Sequence, residues 1–385
     1  MVIAFGFDGP QHKDGSFIYL NEKDNHLYHH EAERYTRIKE GPSDCFYSGI
    51  DLIPNAIFSE LICTPSHVTS INHPQKLIKA HLHEAIKVDE NGYLTPDSKD
   101  WVMNRQAPPA LKYGGEWINP LLFSKADISH IKSSNFNVVS HHLCHAAHGF
   151  LSSDFTESIV MTVDGGGIDL GSCGSINGTE QSRSWQIDFV CIWHFYHNKI
   201  NLLERKSIGD LNIGESYNAI TSYILGSANS SIGGNQCGTI MAMAGMHSPY
   251  LHLELATKLV SETDKNRIAN ILKNTFGEAP SENISYSLAS SFQLATEKLV
   301  RRLISPYLHM SKNLIFSGGV ALNSVMIGNM AKLFSNHKYE IYVPPVPYDA
   351  GLSIGAVQYM LHKRNQYSSR LKRKFACPYM GKPYS

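Results

Sequence analysis

The sequence predicts an α/β protein whose architecture is written twice. Three observations lead there. The chain opens strand–turn–strand–turn–strand: Val2 to Phe7, Phe17 to Leu20 and Leu27 to His30 are short apolar runs, parted by Asp8-Gly9-Pro10 and by the polar patch Asn21 to Asn25. The same grammar returns in the middle, where an apolar run from Ser158 ends in Asp164, Gly165, Gly166 and Gly167, and Gly171 to Ile176 and Trp185 to His194 alternate as strands do. Helical spacing then fills the second half, over Leu251 to Phe276 and Ser287 to Leu303. Repeated strand openings with helices between them point to mixed sheets covered by helices, in a duplicated arrangement.

The remaining elements follow in order. Ser48 to Ile62 reads as helical, Val68 to Asn72 as a strand and Gln75 to Ala85 as a helix. Asn91 to Gly115 is rich in Pro and Gly, an irregular excursion. Phe136 to Val139 is a strand that feeds an apolar helical run ending at Leu151. Gly233 to Gly238 is a glycine-rich loop running into soft apolar residues. On the long helix after Ser287, the residues Ala289, Phe292, Leu299 and Leu303 fall mostly on one face. Asn313 to Phe316 is a strand that breaks at Gly318 and Gly319 and leads into a helix containing Asn323. Tyr339 to Val343 is a last strand, and Leu352 to Leu361 a small-residue helix.

Bulk properties narrow the function classes. At 385 residues there is room for two or three domains. Lys plus Arg and Asp plus Glu both number 34, which argues against a broad nucleic-acid or membrane surface. No run of about 18 apolar residues exists, so no transmembrane helix is expected. The first residues read as a strand rather than a signal peptide. Seven cysteines without a Cys-x-x-Cys pair read as reduced thiols of a cytoplasmic protein.

Chemistry concentrates between Ser140 and Gly167. His141 and His145 are four apart, so on a helix they leave one face and can share a metal. About twenty residues later, an acid and three glycines close an apolar strand, a pattern that lets backbone N–H groups approach a phosphate. The charged run Glu31 to Lys39 leaves a strand where anion-binding side chains would sit, although such runs are also ordinary solvated faces.

Six stretches carry a family resemblance. They are Glu31 to Lys39, His141 to Ala147, Val163 to Gly167, Ala289 to Gln293, Ser317 to Asn323 and Val343 to Gly351, in collinear order. Together they resemble the O-carbamoyltransferases of the nodulation and antibiotic-tailoring type. That family's larger domain has the actin/sugar-kinase/Hsp70-like fold and is similar to the tRNA threonylcarbamoyl-transfer enzymes. The resemblance implies duplicated RNase-H-like lobes with a nucleotide cleft between them. The lobes would be residues 1–156, with an insertion at about 73–130, and residues 157–362. Residues 363–385 would form a linker-like tail before a YrdC-like domain that this sequence does not show.

The implied reaction joins carbamoyl phosphate and ATP into carbamoyl-adenylate and passes the carbamoyl group to an acceptor hydroxyl of a sugar, an antibiotic or a hydroxymethylated nucleobase. By the resemblance, His141, His145 and Asp349 are the metal ligands, with Fe(II) favoured and Mn(II) or Zn(II) open. His142 would contact the carbamoyl group or act as a base. Asp164, Gly165, Gly166 and Gly167 would form a phosphate loop, faced by Gly318, Gly319, Val320 and Asn323 at a helix N-terminus. Arg34, Arg37 and Lys39 would hold an anionic substrate, together with the loop at Gly238 and Thr239, where the family pattern has Lys in place of Thr239. Either His12 or Asp14 would be the acceptor's base, since one residue is inserted here relative to the family's His-Asp-x-Ser run. Implied partners are carbamoyl phosphate, the acceptor and a separate YrdC-like adenylate-forming protein. There is no membrane partner, nucleic acid enters only as an acceptor, and a homodimer is left open. Two competing readings are a nucleotide-binding partner subunit without turnover and an actin-fold sugar kinase.

Overall fold

Two five-stranded sheets carry the fold, each grown from a strand that the sequence marks as apolar. The computed structural model describes residues 2–6, 16–21, 26–31, 57–58, 60–63, 111–113, 116–118, 132–133, 136–170, 185–196, 199–207, 209–226, 236–246 and 249–367. The chain divides into two compact units: residues 1–154, 167–187 and 344–385 form the first, and residues 155–166 and 188–343 the second. The last described helix, expected from sequence with the C-terminal half, therefore packs in the first unit.

The first unit opens with β1 (Val2–Gly6), β2 (Ser16–Asn21) and β3 (His26–Glu31), an antiparallel meander. Two short pairs follow, β4 (Ile57–Phe58) with β8 (Lys132–Ser133) and β6 (Leu111–Tyr113) with β7 (Glu116–Ile118). The sheet is completed by β5 (Glu60–Cys63) and β9 (Phe136–Val138), giving the order β3-β2-β1-β5-β9. Strand β5 lies parallel to β1, where the sequence suggested a helix running to Ile62. A four-residue segment with three apolar residues fits either element, and pairing with β1 decides it.

On β2, Ser16, Ile18 and Leu20 are all buried, the period of two that places one face against a core. That face meets the helix at Leu352–Lys363. Ser16 Oγ lies 2.7 Å from Ser353 Oγ, and His29 Nε2 lies 2.7 Å from the carbonyl oxygen of Ala350.

The second unit's sheet contains β10 (Glu157–Leu170), β11 (Trp185–Tyr196), β12 (Lys199–Ser207), β13 (Asn313–Ser317) and β14 (Glu340–Tyr342), in the order β12-β11-β10-β13-β14. This is the order of the first sheet, position for position. The corresponding outer pairs are antiparallel in both sheets, and the two pairs on the other side are parallel in both.

Ile159, Met161 and Val163 leave one face of β10 and enter a core with Tyr217, Leu288 and Phe292. The long helix Glu282–Ile304 buries Ala289, Phe292 and Leu299, as its periodicity predicts. The expected helix from Leu251 to Phe276 is two, Leu253–Leu259 and Lys265–Phe276. The break is a cap, because Asp264 Oδ1 accepts from the N–H groups of Asn266 and Arg267. Among the described residues, no helix is long and apolar enough to cross a membrane.

Candidate metal centre and glycine-lined turns

Helix α1 (His141–Ser152) carries the histidine pair in the first unit. Its first turn is closed by the Cys144 N–H donating to the Ser140 carbonyl at 3.0 Å. All of its residues except Phe150 are buried, so this is a core helix rather than an amphipathic one. Its polar side chains must therefore be satisfied by protein groups or by a ligand.

His141 and His145 point their Nε2 atoms at each other, 3.1 Å apart. Asp349 Oδ1 lies 3.5 Å from the first and 3.3 Å from the second. Both imidazoles are fully buried, while Asp349 keeps 19% of its side chain exposed. Asp349 comes from a 3₁₀ turn, Asp349–Gly351, just before the helix Leu352–Lys363. Atoms bound to one ion at about 2.0–2.2 Å stand roughly 3–3.5 Å from each other, and the three separations fall in that window.

The donor chemistry agrees. Two Nε2 lone pairs converge on one point only if the ring protons sit on Nδ1, and Asp349 Oδ1, which faces both Nε2 atoms, is buried with no hydrogen-bond partner among the described residues. A cation at the convergence point gives the Nε2 atoms and the carboxylate a common partner. These residues fit a divalent metal.

Around this trio the helix is braced by a buried polar chain that the sequence reading passed over. His148 Nδ1 lies 3.2 Å from Gln358 Oε1 and 3.1 Å from Ser152 Oγ. The Gln358 amide donates to Ser152 Oγ and to the Tyr367 hydroxyl, and Tyr367 donates to the Leu151 carbonyl. Burial pushes the His148 imidazole far down, to about 3, so it stays neutral. The available signal was its spacing, seven after His141 and three after His145, on the same stripe. His142 is fully buried as well, with its ring centroid 5.4 Å from that of His141.

In the second unit, the residues expected to meet a nucleotide gather around the end of β10. Asp164 Oδ1 accepts the Gly319 N–H at 2.8 Å. Gly318 has φ +90°, and a Cβ there would stand 2.3 Å from the Val163 carbonyl oxygen. A Cβ on Gly214 would likewise stand 2.7 Å from Gly165 Cα, whereas Gly165 itself has open space where a side chain would be.

Asn323 caps the helix Ser324–Ser335 through the Met326 N–H and pairs amide to amide with Gln293, at 2.9 and 3.1 Å. Tyr217 donates to the same Gln293 oxygen, and burial raises its phenol so that it remains a donor. Asn323 is thus a structural hub of its turn, and Val320 sits half-buried beside it. Gly238 and Thr239 lie in the first turn of the helix Cys237–Ala244, where the Thr239 N–H donates to the Gln236 carbonyl. His12, Asp14, Arg34, Arg37 and Lys39 lie outside the described residues, as do the tail 368–385 and most of 73–130.

Residues 11–358 match the family model described as carbamoyltransferase N-terminus. The chain belongs to this family. This carbamoyltransferase-family chain is 29% identical over 260 residues to the uncharacterized protein sll1178 of Synechocystis sp., a match covering 61% of the chain and 38% of the relative. It is 25% identical over 255 residues to the nodulation protein NolNO of Sinorhizobium fredii, covering 62% of the chain and 33% of the relative. The chain therefore spans little more than a third of the length of these curated relatives. Among solved structures, full-length HypF in its phosphate- and nucleotide-bound form aligns with a TM-score of 0.42 and 11% identity, over 96% of this chain and 47% of that one. A likeness that weak carries no argument.

Proposed function

We propose that the chain carries the transfer step of an ATP-linked O-carbamoyltransferase. Carbamoyl-adenylate, formed from ATP and carbamoyl phosphate, would be the donor. The acceptor oxygen bonds to the carbamoyl carbon, the bond from that carbon to the adenylate oxygen breaks, and AMP leaves with the bonding electrons. The hydroxyl proton passes to a base, for which His12 and Asp14 remain the two candidates. The single observation behind this reading is the family match over residues 11–358.

Roles follow for the described residues. His141, His145 and Asp349 would hold a divalent ion, with Fe(II), Mn(II) and Zn(II) all compatible with two imidazoles and a carboxylate. Such an ion supplies charge that polarises a carbonyl or orients a phosphate. Asp164 holds the Gly318–Asn323 turn through the Gly319 N–H, and Gly165, Gly166, Gly319 and Val320 would offer backbone to the nucleotide's phosphates. His142, buried beside His141, would act on the carbamoyl group. The shared strand order of the two sheets supports the duplicated fold.

The test is direct. The chain is incubated with ATP, labelled carbamoyl phosphate and a panel of sugar, antibiotic and hydroxymethyl-nucleobase acceptors, with and without an adenylate-forming YrdC-like protein. Label on an acceptor, with AMP released in equal amount, is the expected result. No labelled acceptor under any of these conditions sinks the enzyme reading and leaves a nucleotide-binding subunit in its place.

A further inference from the structure

The sequence reads the three glycines after Asp164 together as a phosphate loop, but the structure sets them in three different surroundings. Gly165 is met by Gly214, whose own Cβ would collide with it. Gly166 has φ +141°, where L side chains are rare. Gly167 is different again. A Cβ on Gly167 would stand 2.1 Å from His141 Cδ2, 2.2 Å from its Cγ and 2.7 Å from its Cβ. The imidazole lies in the volume that a side chain at 167 would fill.

We propose that Gly167 is a positioning residue for His141, its missing side chain being the seat of the metal-binding imidazole. The proposal rests on reading His141, His145 and Asp349 as a metal set. The argument is steric. Carbon atoms in contact stand about 3.5–4.0 Å apart, so an alanine at 167 forces a retreat of more than about 1 Å. The ring has no solvent to retreat into, because His141 is fully buried. Cδ2 is bonded directly to Nε2, so any movement of the one carries the other. Nε2 is the atom placed 3.1 Å from His145 Nε2 and 3.5 Å from Asp349 Oδ1. Metal sites tolerate displacements of only about 0.2 Å in ligand distance, several times less than the forced retreat. The final residue of the glycine run is therefore tied to the metal trio, and its smallness would be required even if it never touched a phosphate.

The experiment uses the full 385-residue chain, freed of metal and titrated with Co(II) alone, comparing wild type with G167A, H141A, H145A and the double variant G167A/H141A. Ligand-field absorption and Co(II) affinity report the site, and the thermal midpoint of the metal-free protein reports the seat. The expectation is Co(II) binding by wild type, loss of binding in H145A, and at least a tenfold weaker, spectrally altered site in G167A. The glycine substitution should also lower the midpoint much less when His141 is already alanine. Wild type and H145A binding Co(II) equally would overturn the metal reading, while the midpoint comparison would still decide the seat. G167A binding Co(II) with wild-type affinity and spectrum, alongside a dead H145A, would overturn the positioning role. If G167A alone does not fold, a folded double variant supports the seat and an unfolded one overturns it.

Discussion

Acid should weaken this protein through His148. Its imidazole is buried, hydrogen-bonded to Gln358 and held neutral down to about pH 3, whereas the same side chain in the unfolded chain titrates near 6.5. Between those values the unfolded state binds a proton that the folded state refuses, so stability is full above pH 6.5 and falls as pH drops through the window. Each pH unit within it is worth about 1.4 kcal/mol, which gives a loss of about 3 kcal/mol by pH 4. Carboxylates also titrate there, so the measurement is a difference. Urea unfolding of the metal-free wild type is followed by circular dichroism at several values from pH 7.5 to 4, beside His148→Gln, which keeps an amide within reach of Ser152 and Gln358. The wild-type curve should be steeper by about 1.4 kcal/mol per unit below pH 6.5. Parallel curves would refute the reasoning, because they would mean that His148 takes up its proton without leaving the fold.

Three further outcomes are expected. A Cβ on Gly355 would stand 1.9 Å from the Cys144 carbonyl oxygen, so Gly355→Ala should force the helix Leu352–Lys363 off α1 and cost about 1–3 kcal/mol, read as a lowered unfolding midpoint. Asp188 is fully buried against Arg205 at 2.7 Å and also accepts from Ser207, so Asp188→Ala should cost about 3–5 kcal/mol in chemical denaturation, with much of that loss recovered when Arg205 is replaced by Met in the same chain. Asn323→Ala removes both a helix cap and the Gln293 pair and should destabilise by more than the roughly 1 kcal/mol of a cap alone, while Asn323→Asp, which keeps the cap acceptor, should lose less in the same melts.

Local patterns in the sequence reached as far as local physics decides. The histidine pair was legible from its spacing, because four residues along a helix return to one face whatever surrounds it. Asp349 was not legible in that way. It lies far along the chain, and only the resemblance pointed to it before the fold brought it within 3.5 Å of both rings. The glycine run was legible as a close approach of backbone, but not as to what approaches. Its partners, Gly214 and His141, are chosen by packing. Strand β5 was misread because Glu60 to Cys63 is too short for periodicity to separate strand from helix. The break at Asp264, by contrast, has a local signal in the sequence, an N-capping Asp just before the helix Lys265–Phe276.

The first unit is sewn from three separated lengths of chain, and this sets an order of events at the ribosome. Ser16 meets Ser353 across 337 residues and His29 meets Ala350 across 321, so the early sheet waits for all of that intervening length before its covering helix exists. The stretch from Asp188 to Val343, with most of the second unit's core, emerges complete before Pro344 starts the last length of the first. The later-encoded unit can therefore close first, inverting the usual N-to-C progression of domains during synthesis. Until then α1 lacks the helix Leu352–Lys363 that packs on it, and a chain halted before Asp349 would hold two of the three metal-facing side chains with no finished core around them.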